Sequence, residues 1–281
     1  MKIILYNNYN YHYEVIETLI NRYNIILNID KKNNSIFIYT KKNDSFIKYI
    51  YKKYPKIKFI SNLFDADYII DCTIYKKDKN RIIPNSDKYF YISHDVITDY
   101  NELSNVYYIT PIGQKYLKAD ILPFCYDKKI KTKMPIYVIQ GNFTKKRRDY
   151  SFLKMILNHK FKYDFRIKLL GRGKPPIKHP KIIVKKNLDF INYHKEFLNV
   201  YCILPLISKE THPQYYNEKL TSTMSYTYAY KLHILLDQEL QDIYNHKKAF
   251  TYNDKEDFLK MFKVSLIHFY QMKNKIKNKN Y

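Results

Sequence analysis

Two α/β domains, each built on a mostly parallel sheet, are predicted by three features of this sequence. Short apolar runs alternate with amphipathic segments through both halves of the 281-residue chain, the pattern of strand–helix–strand units. A polar, lysine-rich segment at 127–135, ending in proline, separates the two series and reads as a linker. The chain holds only four glycines, and three of them lie just after apolar runs in the second half. Glycine alone enters φ > 0 or admits a ligand to the backbone at little cost, so a chain this poor in it keeps it where geometry demands it. Gly141 follows Ile136-Tyr137-Val138-Ile139, and Gly171 and Gly173 flank Arg172 after Ile167-Lys168-Leu169-Leu170. Two strand-then-glycine turns about 30 residues apart suggest βα units with phosphate-sized loops. Gly113 stands apart from this region.

The elements follow in order. Strands are predicted at 3–6, 35–40, 58–60, 68–71, 89–92 and 106–109. Val15, Ile16, Leu19 and Ile20 have helical spacing and predict a helix over 13–23; a second covers 46–54. Helix signals between the later strands of this half are weak. The second series predicts strands at 136–140, 166–170, 181–184, 200–206 and 233–236. Its helices are expected at 148–157, 190–197, 218–230 and 256–267, with a fraying tail at 273–281. The division is thus 1–130 and 131–281, with the last helix crossing back to brace the first domain. Ligands of such Rossmann-like domains sit at the carboxyl ends of the strands, which places the expected site in a cleft that both sheets face.

Composition narrows the class further. The hydrophobic fraction of 46% is enough for a sizeable core. There are 32 tyrosines and no tryptophan, with Lys, Ile and Asn abundant, as in proteins of AT-rich genomes such as those of giant viruses. That codon bias accounts for much of the formal charge of +24, although a field this positive still attracts polyanions and phosphorylated small molecules. The basic residues are spread throughout and form no known RNA-binding motif, so specific nucleic-acid recognition is not expected. Cys72, Cys125 and Cys202 are widely spaced beside apolar runs and read as buried free thiols of a reducing compartment. The N-terminal apolar run is too short for a signal peptide, and no stretch approaches the roughly 18 apolar residues of a membrane span. A cytoplasmic protein is expected (host cytoplasm for a viral one), with peripheral attraction to anionic membranes as its only membrane contact.

Three landmarks carry a family resemblance. They are Val138-Ile139-Gln140-Gly141-Asn142-Phe143 with the basic run at 145–148, Lys168-Leu169-Leu170-Gly171-Arg172-Gly173, and Tyr216-Asn217-Glu218-Lys219-Leu220-Thr221-Ser222 leading to Ile234-Leu235-Leu236-Asp237. Residues 136–250 resemble the C-terminal, donor-binding domain of glycosyltransferases of the GT-B fold, of the group-1, retaining type; over 1–130 the likeness is architectural. The resemblance implies that Gly141 and two basic side chains face the diphosphate of a nucleoside-diphosphate sugar. The family commonly has an arginine just after the glycine and a lysine five residues later; here Asn142 and Arg147 hold those positions. Asn142 can donate a hydrogen bond but no charge, and Arg147 can grip phosphate bidentately. The family's third landmark carries two glutamates. Glu218 matches the first and Tyr226 replaces the second, which removes the usual grip on the ribose. Lys219, Thr221 and Ser222 cluster at a predicted helix start, where hydroxyls and free N–H groups suit phosphate. Gly171 and Gly173 are expected to shape a loop near the base or ribose, and Tyr215 and Tyr216 to stack on a base or sugar.

On the acceptor side, His94 and Asp95 follow a predicted strand. An imidazole there suits a general base for an inverting enzyme, with His12 in the first loop as the other candidate. A retaining enzyme needs neither, so both stereochemical outcomes stay open. Asp65-Ala66-Asp67 precedes its strand, which puts its carboxylates at the wrong end for a metal-dependent transferase. His179, His194 and His212 lack ligand-like spacing. Neither GxxxxGK[ST] nor GxSxG is present. The leading expectation is therefore a metal-independent glycosyltransferase without a cofactor. Its partners would be a nucleotide-sugar donor and a glycan or small hydroxyl acceptor. Two alternatives remain: a catalytically decayed binding protein of the same fold, and a basic polyanion-binding module.

Overall fold

The computed structural model describes residues 1–9, 12–27, 35–40, 44–96, 101–112 and 132–278, with side chains for all but 22–27 and 276–278. Gly113, Cys125, 127–131 of the predicted linker and the last three residues of the predicted tail lie outside the described residues. The chain divides into two compact units, Met1–Cys125 with Asn217–Ala229, and Tyr126–Tyr216 with Tyr230–Tyr281.

The first unit contains β1 (Lys2–Asn7), α1 (Tyr13–Leu27), β2 (Ser35–Thr40), α2 (Asp44–Lys53), β3 (Lys58–Phe59), β4 (Tyr68–Ile74), β5 (Tyr89–Ser93) and β6 (Val106–Tyr108). All pairs are parallel, in the order β3-β2-β1-β4-β5-β6. A parallel strand buries both faces, so its sequence is a continuous β-branched run rather than an alternation. Ile3, Ile4 and Leu5 of β1 are all buried, and so are Ile69 through Ile74 of β4. Between β4 and β5 the chain makes only a 3₁₀ turn, Lys76–Arg81, in keeping with the weak helix signals there.

The second unit contains β7 (Ile136–Asn142), α3 (Tyr150–Asn158), β8 (Arg166–Arg172), β9 (Ile182–Lys186), α4 (Phe190–Lys195), β10 (Cys202–Ile203) and α5 (Gln214–Asn217). The next helix, α6 (Ser222–Ala229), groups with the first unit. Then come β11 (His233–Asp237), α7 (Gln238–Tyr244), β12 (Ala249–Tyr252) and α8 (Lys255–Asn278). The sheet is again parallel, in the order β12-β11-β10-β7-β8-β9. Renumbered within its own half, this repeats the winding of the first. In each sheet the strand order reverses once, between β1 and β4 and between β7 and β10. At such a reversal the flanking connections diverge and leave a crevice at the carboxyl ends.

The core of the second unit is aromatic. Tyr137 meets Phe262 at 4.5 Å between ring centroids, and Phe152 meets Phe258 at 4.5 Å. The Tyr137 hydroxyl, buried with them, is satisfied by Ser265 Oγ at 2.6 Å. Through these residues α8 packs on α3, β11 and β12.

Several boundaries differ from the sequence expectation, each for a local reason. The run 200–206 yields a strand of only two residues, β10. Pro205 has no N–H to give the ladder, and Leu206 turns out of it at φ 52°. The helix expected over 218–230 begins only at Ser222, as α6, and a separate short helix, α5, precedes the expected range. α7 and β12, which sequence periodicity does not reveal, are short and set by caps: Asp237 accepts from the amides of Glu239 and Leu240, and Asn245 closes α7 at φ 46°. The tail is helical to Asn278, its lysines being good helix formers.

Candidate functional site

In the second unit the reversal point is built around Gly141. It pairs with Gly171 across β7 and β8. A Cβ on Gly171 would lie 1.8 Å from the Gly141 carbonyl oxygen, so the two backbones approach as only glycine permits. Gly141 itself holds φ 105° near the end of β7, and a Cβ there would press on Arg148 Nη2 at 3.3 Å. Beyond it Asn142 Oδ1 accepts from the Thr144 amide at 3.2 Å, and Arg147 N donates to Thr144 O at 3.0 Å. This tight turn delivers Arg148 inward, just before Asp149, the N-cap of α3.

Arg148 is only 5% exposed. Its Nη2 donates to Gln140 O at 2.6 Å and its Nη1 to Arg147 O at 2.5 Å, while Nε has no partner. Among the described residues no carboxylate pairs with it, and burial holds its pKa below the ordinary arginine value. A buried cation is normally paired, and a helix N-terminus disfavours one. Beside it His212 is fully buried, with Nδ1 bonded to Thr211 Oγ1 at 2.6 Å and the ring also meeting the Lys145 backbone. Burial, then the Arg148 charge, keeps His212 neutral by lowering its pKa. Arg147 Nη1 donates to Tyr215 OH at 3.1 Å. Two cationic side chains, one buried guanidinium nitrogen with no partner and the buried His212 ring thus gather at the carboxyl end of β7. Cations held in this way are able to pair with a multiply charged anion.

In the first unit the carboxyl ends of β1, β4 and β5 bring together His12, Glu14, Tyr75, His94 and Asp95. His12 Nδ1 lies 2.9 Å from Glu14 Oε1, and its Nε2 lies 2.6 Å from Tyr75 OH. The His94 ring sits 3.8 Å from that of His12. Burial, then His12, keeps His94 well below the usual imidazole pKa. Asp95 Oδ1 pairs with Lys219 Nζ at 3.2 Å, and the Val96 amide donates to the Glu218 carbonyl at 2.7 Å. The segment 217–229 enters the first unit through these bonds. Nearby, Tyr9 OH donates to Asp78 Oδ2 at 2.7 Å, and Arg81 bridges Asp71 and Asp78.

Of the donor residues expected from sequence, Gly141, Asn142, Gly171 and Gly173 lie together: Asn142 Oδ1 would be 3.4 Å from a Cβ on Gly173. Arg147 and Tyr215 are in contact, and Tyr216 is buried next in sequence. Lys219 is held by Asp95, Thr221 is buried, and the Glu218 and Ser222 side chains are exposed. His94 is enclosed, and burial holds its pKa well below the ordinary imidazole value, so it does not present the exposed imidazole near neutrality expected from sequence. Arg148, His212, Glu14 and Tyr75 are not singled out by sequence reasoning. For Arg148 the only signal is its membership of the basic run. Asp67 accepts from the Lys2 amide at 2.6 Å and Asp65 pairs with Lys88 at 2.6 Å, both at the amino end of the sheet. Cys72 and Cys202 are buried thiols, which burial keeps protonated. Among the described residues no helix is long and apolar enough to cross a membrane.

With its two doubly wound parallel sheets, the chain is GT-B-like in fold. A solved structure assigned as a UDP-N-acetylglucosamine 2-epimerase from Listeria monocytogenes matches with a TM-score of 0.50 at 10% identity, over 95% of this chain and 88% of that one. The E. coli heptosyltransferase WaaC with ADP matches at 0.39 and 8% identity, over 84% and 87%. The calicheamicin glycosyltransferase CalG4 matches at 0.39 and 6% identity, over 95% and 89%. No family model matches the sequence, and no curated protein does.

Proposed function

We propose that this protein is a metal-independent glycosyltransferase that moves a sugar from a nucleoside-diphosphate sugar to a hydroxyl acceptor, such as a glycan. The buried Arg148, without a carboxylate among the described residues, carries this reading. Glycosyl transfer expels a nucleoside diphosphate, and negative charge grows on the bridging oxygen as the bond breaks. A cation fixed in a site of low dielectric stabilises that charge without reorganising. Arg148 would meet the diphosphate, and Arg147 would add a second contact. Gly141 and Gly171 let the two backbones and the Arg148 guanidinium close up around the turn, which holds that cation in place. Gly173 and Tyr215 border the same turn and would contact the ribose or base. The first unit would supply the acceptor's hydroxyl chemistry.

Thermal unfolding with a panel of nucleoside diphosphates, their sugar conjugates and inorganic polyphosphates tests this reading. Selective stabilisation by one nucleotide, together with release of its diphosphate from the sugar conjugate, is expected. Equal shifts for every polyanion would replace the transferase by a charge-driven binder. Selective binding without turnover would leave a decayed enzyme.

A further inference from the structure

The geometry points to the outer edge of β9 as a docking strand for an extended, acidic segment of a partner protein. β9 closes one end of the second sheet, and among the described residues no strand pairs with its outer edge. Its inner edge serves β8: Ile167 N donates to Lys181 O at 2.9 Å, and Asn187 N donates to Gly171 O at 3.0 Å. Backbone groups of successive residues in a strand point to opposite edges. The odd-numbered positions from 181 to 187 therefore face β8, and Ile182, Val184 and Lys186 face outward. The Ile182 amide is taken by His179 O at 2.9 Å. The amides of Val184 and Lys186 have no such partner among the described residues, which is the condition for one more strand to add.

The side chains fit the same reading. Ile182 packs with Ile177 on the aromatic core, but Val184, next on that face, is 40% exposed. In a parallel sheet both faces are normally covered, so the apolar surface of β9 is left half-built. Between Asp164 and Asp189 the chain has eight lysines and arginines and no carboxylate. Lys168 is buried against Glu196, which Lys185 also approaches at 3.5 Å, and Lys181 lies over the Phe165 ring. Arg172, Lys174, Lys178 and Lys186 are exposed, and among the described residues none of them meets a carboxylate.

Charge decides the occupant. A second copy of this edge would bring Lys185 and Lys186 against their equals, which repel. A nucleic acid or an anionic membrane would meet the charge but not the two amides, which point outward in the plane of the sheet. An extended peptide bearing carboxylates engages both: the backbone ladder supplies affinity and the lysines select the sign. Edge lysines guard against indiscriminate pairing, and the same charge admits an acidic strand.

The test uses a blocked octapeptide of alternating glutamate and valine. It should bind wild type at low salt, weaken as salt rises, and protect the Val184 and Lys186 amides from hydrogen exchange, read residue by residue by NMR. The same peptide with proline for each valine keeps the charge but cannot extend a sheet, and a lysine–valine octapeptide carries the opposite sign. Both should bind at least about 10-fold more weakly. Val184→Pro removes an amide that β8 does not use, which an edge strand tolerates, and should weaken binding about 10-fold with Tm little changed. Lys185→Glu combined with Lys186→Glu should reverse the preference, so that the lysine peptide binds and the glutamate peptide does not. That variant decides the matter if Val184→Pro fails to fold. Equal binding of the glutamate–proline peptide or of inorganic polyphosphate, without protection of the two amides, would reduce the edge to a charged surface and overturn the proposal. Failure of the glutamate–valine peptide to bind would overturn it too, as would amides already protected in a self-associated protein.

Discussion

Replacing Arg148 with methionine separates a structural arginine from a ligand-binding one. Methionine keeps most of the volume and removes the charge. Two opposing changes follow in the free protein. Relief of a buried, uncompensated cation is worth several kcal/mol. Loss of the two charge-assisted bonds to Gln140 O and Arg147 O costs about 1.5–3 kcal/mol each. These nearly cancel, so the stability of the free variant should lie within about 2 kcal/mol of wild type. The ligand-bound protein should behave differently. Nucleoside diphosphate at 100 times its Kd stabilises wild type by about 2.7 kcal/mol, or about 5–10 °C in Tm for a unit of this size. Truncating one member of a buried charge pair costs about 2–5 kcal/mol of binding. A loss near 2.8 kcal/mol weakens Kd about 100-fold, and the same ligand concentration then shifts Tm by only about 1 °C. Differential scanning fluorimetry at a fixed ligand concentration reads both quantities. Equal ligand shifts in variant and wild type would refute the anion cradle. A large loss of stability in the free variant with binding intact would make Arg148 a structural residue.

Three other outcomes are expected. Gly171→Ala should destabilise by about 3 kcal/mol or more, because its Cβ would meet the Gly141 carbonyl oxygen at 1.8 Å; an unchanged urea midpoint would contradict the close strand approach. His194 is buried against Tyr230, and burial depresses its pKa from the ordinary value of 6.5 to about 3. A depressed histidine stabilises the fold above its unfolded pKa and loses that contribution as pH falls. Stability should therefore drop between pH 6.5 and 3, by up to roughly 4–5 kcal/mol from this group, and urea titrations should show a shallower acid slope in His194→Gln. Phe262→Ala removes a fully buried ring that contacts Tyr137, Phe161 and Phe165. A loss of about 3–5 kcal/mol is expected in chemical denaturation, and a loss below 1 kcal/mol would mean that α8 does not close this core.

Sequence alone determined the α/β class, because parallel strands buried on both faces appear as unbroken runs such as Ile3-Ile4-Leu5 and Ile234-Leu235-Leu236. It also marked the turns, since in a chain with four glycines Gly141 and Gly171 stand out. It did not distinguish among Lys145, Lys146, Arg147 and Arg148, which are equivalent as a charge run. Only the path of the backbone after Gly141, with its positive φ and the turn at Thr144, decided that Arg148 is buried while the two lysines stay exposed. His12, Glu14, Tyr75 and His94 come from separate segments, and a spacing of 63 residues between His12 and Tyr75 carries no local signal. The tertiary structure decided their meeting, because a doubly wound sheet gathers the carboxyl ends of β1, β4 and β5 at one edge, however far apart they lie in the chain.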